Sequence, residues 1–210
     1  MNPVASLITG SNLPAGETLF VTFRLAGSVS TRAFRALYQE RQTAQDAARL
    51  LPAPELPAAF RRAEKLFFLG FDALLDAATV GPVFLEKEKI ADIVAAELLL
   101  LEELGFLVVA FVLLPNHVHA LLHLPAGSGV SFYKALELLQ QRTAAQCRRL
   151  LQATLPPEAD FWQTGSYDYP VHDATELRRL LTYLRTHATR TGHAGRWLDW
   201  PYRYVAPAYE

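Results

Sequence analysis

The chain has 210 residues, 51% of them apolar, with 21 acidic and 20 basic side chains and a net charge of −1. This is the size and apolar content of one domain, or of one domain with an elaboration, and the near-neutral balance gives no global sign of a nucleic-acid partner. The single Cys147 excludes an internal disulfide and fits a reducing compartment; its helical setting points to packing rather than reactivity.

In chain order, Met1–Thr9 lacks the basic start and long apolar core of a signal peptide. Alternation over Glu17–Leu25, rich in Phe, Val and Thr, predicts a strand. Thr31–Leu51 reads as a helix capped by Ser30. Pro52, Pro54 and Pro57 interrupt it, and helix is expected to resume over Ala58–Leu69. Asp72–Gly81 is expected to be a loop or short helix closed by Gly81-Pro82. Glu86–Leu104 predicts a helix stopped by Gly105. Phe106–Leu114 and His117–Leu124 predict two strands across a tight Pro115-Asn116 turn. Val130–Leu155 reads as helix, ended by Pro156-Pro157, and Phe161–Tyr169 as a short strand or extended segment. Asp173–Thr191 predicts a helix, with Asp173 and Glu176 at capping-box spacing and Gly192 as its stop. The aromatic tail Trp197–Pro207 is expected to pack back on the body.

The longest apolar stretches are broken by Glu97, Glu102 and Glu103, so no membrane span is expected and the chain reads as cytoplasmic. The order of elements suggests an α+β sandwich, an antiparallel sheet with helices against it, as one domain over residues 1–210 with an acidic helical elaboration at about 30–104. Charge is uneven: Leu66–Gly105 carries Asp72, Asp76, Glu86, Glu88, Asp92, Glu97, Glu102 and Glu103 against Lys87 and Lys89. The remainder is net basic and rich in arginine, which is compatible with a polyanionic partner.

His117-Val118-His119 is the most informative string. On a strand the two histidines share a face, with Cα atoms roughly 6.5–7 Å apart, so two ring nitrogens can converge on one ion at about 2.0–2.2 Å each. Val118 points the other way, into apolar packing. His123 is on the same face but about 20 Å along the strand, a support or substrate-facing residue. On the Asp173 helix, Tyr183 and His187 are four residues apart and stack on one face, flanking the stripe of Leu177, Leu180, Leu181, Leu184 and Ala188. Arg178, Arg179, Arg185 and Arg190 cover the exposed side. Together these residues suggest a divalent ion held by His117, His119 and His187, beside a nucleophilic Tyr183 that would form a phosphotyrosine with a broken nucleic-acid strand.

At these residues the sequence resembles the REP-associated tyrosine transposases, single-tyrosine members of the HUH superfamily. Pro115-Asn116-His117-Val118-His119 resembles their HUH motif, and Leu19–Ser28 their opening strand. Phe71–Leu85, with Leu75-Asp76 and Gly81-Pro82, resembles a recurrent segment before their second helix, and Phe161-Trp162-Gln163 through Tyr167-Asp168 the approach to their tyrosine helix. Tyr183-Leu184-Arg185-Thr186-His187-Ala188 falls where the family has Tyr-x-x-x-Asn-Pro, with His187 in place of the asparagine and no following proline.

The resemblance implies a ferredoxin-like antiparallel sheet with the HUH motif on a central hairpin strand. It implies His117 and His119 as metal ligands, Tyr183 as nucleophile, and Mg2+ or Mn2+ as the cofactor, with Zn2+ possible for three histidines. The implied activity is cleavage and rejoining of single-stranded DNA near hairpins, by a monomer or homodimer without a membrane. Arg142 on the Val130 helix is a further candidate phosphate contact, with Tyr133 and Lys134 weaker ones. Trp162, Tyr167 and Tyr169 are candidates for base stacking. His172 and His193 read as loop residues. Two other readings stand beside this one: a domesticated module that binds hairpin DNA with weak or no cleavage, and a phosphodiesterase that uses water and leaves Tyr183 a bystander.

Overall fold

The computed structural model describes residues 15–78, 80–190 and 200–209, the side chains of 188–190 excepted. In order the elements are β1 (Gly16–Arg24), α1 (Thr31–Arg49), α2 (Leu56–Asp76), α3 (Glu88–Leu99), β2 (Leu107–Leu113), β3 (His117–Pro125), α4 (Phe132–Leu150), β4 (Tyr167–Pro170), α5 (Ala174–Arg190) and β5 (Arg203–Val205). The chain divides into two compact units. Gly27–Pro82 forms one, and the residues before and after it form the other.

The smaller unit is a helical hairpin. Ser30 caps α1, its hydroxyl oxygen accepting from the Ala33 amide. Phe34 of α1 sits edge-on to Phe67 and Phe71 of α2, and Arg41 pairs with Glu64 at 2.8 Å. Helix α2 runs seven residues past the expected Leu69, to Asp76. Gly70 does not stop it; a Cβ there would meet Leu37 Cδ1 at 2.6 Å, so the glycine lets the two helices approach closely.

The larger unit is built on a five-stranded sheet in the order β4-β1-β3-β2-β5, every neighbour antiparallel. The first four strands, with α3 between β1 and β2 and α4 between β3 and β4, follow the βαββαβ order of a ferredoxin-like sheet. The fold is α+β, and β3 is the central strand. One sheet face carries Leu19, Val21, Phe23, Val118, Ala120 and Leu122, which form the main core with Ile90, Val94 and Leu98 of α3 and Phe132, Leu136 and Leu139 of α4. Helix α5 lies on the opposite face, over β2 and β3.

Several boundaries differ from the sequence expectation for local reasons. Helix α3 stops at Leu99 and tightens into a 3₁₀ turn over Leu100–Leu104 before Gly105, whose φ of 87° is the left-handed stop. Helix α4 begins after Ser131, whose hydroxyl accepts from the Lys134 amide, and ends at Leu150 rather than Leu155. Asp173 caps α5 through the amides of Thr175 and Glu176, while Glu176 reaches back to the amide of His172 instead of Asp173. The tail does more than pack: Arg203–Val205 adds an edge strand to β2, with Trp200 donating to the Leu113 carbonyl at 3.0 Å. Thr191, Gly192, His193 and Trp197 lie outside the described residues. Among those described, no helix is long and apolar enough to cross a membrane.

Candidate functional site

The face of the sheet under α5 is unusually polar for a buried surface. Pairing of β1 with β3 sets Thr18 opposite His123, Thr22 opposite His119 and Arg24 opposite His117. All three histidines of β3 are buried, as is His187 of α5. A sheet face of this kind normally fills with Val, Ile and Leu, and each buried polar group needs a partner. Here the partners are specific. His117 Nδ1 lies 2.6 Å from Asn116 Oδ1, and His119 Nδ1 lies 2.8 Å from Thr22 Oγ1. Further along, His123 Nδ1 lies 2.8 Å from Thr18 Oγ1.

The Asn116 contact sets where the His117 proton sits. Asn116 Oδ1 is an acceptor only, so His117 Nδ1 donates to it and His117 Nε2 carries a lone pair. That lone pair faces His119 Nε2 at 3.1 Å. Two lone pairs cannot face each other at this distance. Either His119 Nε2 donates to His117 while Thr22 donates to His119 Nδ1, or both Nε2 atoms share a cation while His119 Nδ1 donates to Thr22. A hydroxyl both donates and accepts, so Thr22 serves either arrangement.

The donor set suits a metal. The 3.1 Å separation is what two nitrogens subtend at roughly 95–100° when each lies about 2.0–2.1 Å from one ion. A ligand nitrogen of His187 comes within 4.8 Å of those of His117 and His119. Burial, and then His119 and His187 beside it, hold His117 well below the usual histidine range, so it stays neutral and able to ligate at neutral pH. His117 and His119 of β3 and His187 of α5 thus lie together in space.

Tyr183 joins the cluster from the same helix. Its ring lies 4.7 Å from that of His187 and 5.9 Å from that of His119, and Phe20 packs under both it and His119. The apolar residues Leu177, Leu181 and Leu184 hold α5 down, which aims Tyr183 and His187 at β3. Arg24, opposite His117, brings a cation to the same face. Thr22 and Arg24 are the residues that sequence reasoning missed. Their alternation within Glu17–Leu25 was visible, but nothing local shows that this strand pairs with β3.

The remaining candidates separate. Arg178 and Arg179 are exposed on α5. Arg185 is also on the surface, and its guanidinium donates to the Tyr209 carbonyl. The side chain of Arg190 lies outside the described residues. Tyr167, half-buried on edge strand β4, pairs with Thr22 and shares the histidine face. Arg142 does not join them: it is on α4, across the sheet, 3.8 Å from Glu97. Trp162 also fails as a stacking platform. It is buried against Phe23 and Phe161, with its indole N–H donating to Thr143 at 2.8 Å, so neither ring face is open to a base.

No protein-family model and no curated protein matches the chain. Among solved structures, it is similar to a REP-associated tyrosine transposase bound to a REP hairpin, at 15% identity and a TM-score of 0.46, over 93% of this chain and 86% of that one. At that level the likeness settles neither family nor activity.

Proposed function

We propose that the chain is a metal-dependent single-stranded DNA endonuclease that cleaves and rejoins DNA at hairpins, in the manner of a single-tyrosine transposase. One observation carries the reading: three buried histidines converge from β3 and α5, and a tyrosine one helical turn from the third lies against them. A structural zinc site has no use for that tyrosine, and a histidine pair buried for packing has no use for the third ring.

His117, His119 and His187 would hold a divalent ion, Mg2+, Mn2+ or Zn2+. Bound there, the ion supplies polarisation of a phosphoryl oxygen and stabilisation of developing charge. Tyr183 is the nucleophile. Its oxygen forms a bond to phosphorus as the bond to the 3′ oxygen breaks, giving a 5′ phosphotyrosine and a free 3′ hydroxyl. The phenol loses one proton and the departing oxygen gains one, so the step balances. The link keeps the phosphodiester's energy, and attack by a 3′ hydroxyl reverses it without an external energy source. Arg24 adds positive charge on the phosphate side, and Arg178, Arg179 and Arg185 offer phosphate contacts along α5.

The test is incubation with end-labelled hairpin DNA and Mn2+, read on a denaturing gel. A cleaved strand and a covalent protein–DNA band are expected from the wild type, and neither from Tyr183→Phe. Cleavage that persists in Tyr183→Phe identifies water as the nucleophile and overturns the assignment. Tight hairpin binding without any cleavage identifies a binding module instead.

A further inference from the structure

Helix α5 carries its site residues on one flank and a tether on the other. Tyr183 and His187 turn toward the histidines of β3, while Leu177, Leu181 and Leu184 are buried beneath the helix. Arg185 is two residues from each of the pair, so at 3.6 residues per turn it projects about 160° away from both. On its side the packing is loose. Leu184 and Arg185 line a hollow of about 160 Å³ with Phe111 of β2 and Arg203, Tyr204 and Val205 of β5. The Arg185 guanidinium ties the helix to the segment after β5 by donating to the Tyr209 carbonyl.

That segment is itself fixed to the sheet. Strand β5 pairs with β2, the Ala206 amide donates to the Val109 carbonyl at 2.9 Å, and the Tyr209 amide donates back to the Ala206 carbonyl at 2.8 Å. Tyr209 is only 3% exposed, yet its buried hydroxyl has no hydrogen-bond partner among the described residues. A buried hydroxyl without a partner costs stability. What Tyr209 contributes is its ring, which anchors the segment, and its carbonyl, which holds Arg185. A helix packed on one flank and open on the other can roll toward the gap. At a side-chain radius of roughly 5–6 Å, a roll of about 10° moves an atom by about 1 Å. A displacement of about 1 Å at a reacting group can cost about 100-fold in rate. Resting on the reading of Tyr183 as nucleophile, we infer that Arg185 and Tyr209 form a tether that sets the roll of α5. Both are positioning residues: from the far side of the helix they place the Tyr183 oxygen and the His187 ring.

The test is single-turnover cleavage of end-labelled hairpin DNA with Mn2+, beside calorimetric titration of Mn2+ without DNA. Arg185→Met and Tyr209→Ala should each slow cleavage about 100-fold. Each should also weaken Mn2+ binding about tenfold or more, because His187 shifts with the helix. Their double variant should lose no more than either alone, since both break the same tether. Arg185→Lys, which can still donate to the carbonyl, should recover most of the rate, and Tyr209→Phe should match the wild type. Urea midpoints identify a variant that fails to fold; Arg185→Met changes a surface side chain and remains decisive if Tyr209→Ala does. Wild-type rate and Mn2+ affinity in Arg185→Met, or losses that multiply in the double variant, overturn the inference. So does a log–log salt slope of hairpin binding lowered by about 1 in Arg185→Met while Tyr209→Ala cleaves normally, which makes Arg185 a phosphate contact alone. A wild type that binds Mn2+ without cleaving brings down the nuclease reading, and the titrations then decide the tether by themselves. A wild type that binds no Mn2+ brings down both.

Discussion

Replacing Thr22 by valine removes one hydroxyl from the buried face and keeps the shape and β-branching that suit a strand. With that hydroxyl goes its 2.8 Å hydrogen bond to His119 Nδ1. For His119 to ligate through Nε2, its ring proton must move to Nδ1, where valine presents a methyl group. A buried donor left without an acceptor costs about 1–3 kcal/mol, which is about 5- to 150-fold in affinity. Outer partners of metal-bound histidines are worth about 10- to 100-fold. The two figures overlap at about tenfold or more. Calorimetric titration of Mn2+ or Zn2+ into wild type and Thr22→Val measures it directly. Thr18→Val is the control, because it removes an equivalent 2.8 Å bond from His123 on the same two strands. Metal affinity should fall about tenfold or more in Thr22→Val and stay at the wild-type value in Thr18→Val. Unchanged affinity in Thr22→Val, or an equal drop in both, would refute the proton assignment.

Three further outcomes are expected. His187→Asn should keep cleavage and raise the rate with Mg2+ relative to Mn2+, because an amide oxygen is a harder ligand than imidazole; an unchanged ratio would remove His187 from the ligand set. Metal-free stability should be full above about pH 6.5 and fall below it. Burial holds His117 below that value, so the unfolded chain takes up the proton first. The decrease is up to about 1.4 kcal/mol per pH unit, read from urea midpoints, and midpoints that do not fall in acid would contradict the buried neutral ring. Hairpin affinity should fall linearly with salt on a log–log plot, and Arg178→Ala/Arg179→Ala should lower the slope by about 2. An unaltered slope would move the phosphate contacts elsewhere.

The sequence by itself determined whatever repeats at short range. A period of two put His117 and His119 on one face of a strand, and a period of 3.6 put Tyr183 and His187 on one face of a helix. Caps at Ser30 and Asp173 and the left-handed Gly105 marked helix ends, because their hydrogen bonds and φ angles are local. Tertiary structure decided which of these faces meet. Thr22 and His119 are 97 residues apart in the chain, and only the register of β1 on β3 makes them partners. The same holds for Trp162, an aromatic residue that read as a candidate for base stacking and that the fold buries at Thr143. It holds for the tail as well, where three residues too few to announce a strand became one by completing the edge of β2. Periodicity says which way a side chain points; what it points at depends on pairing between distant segments, and that pairing is selected by burial of the whole core rather than by any one stretch of chain.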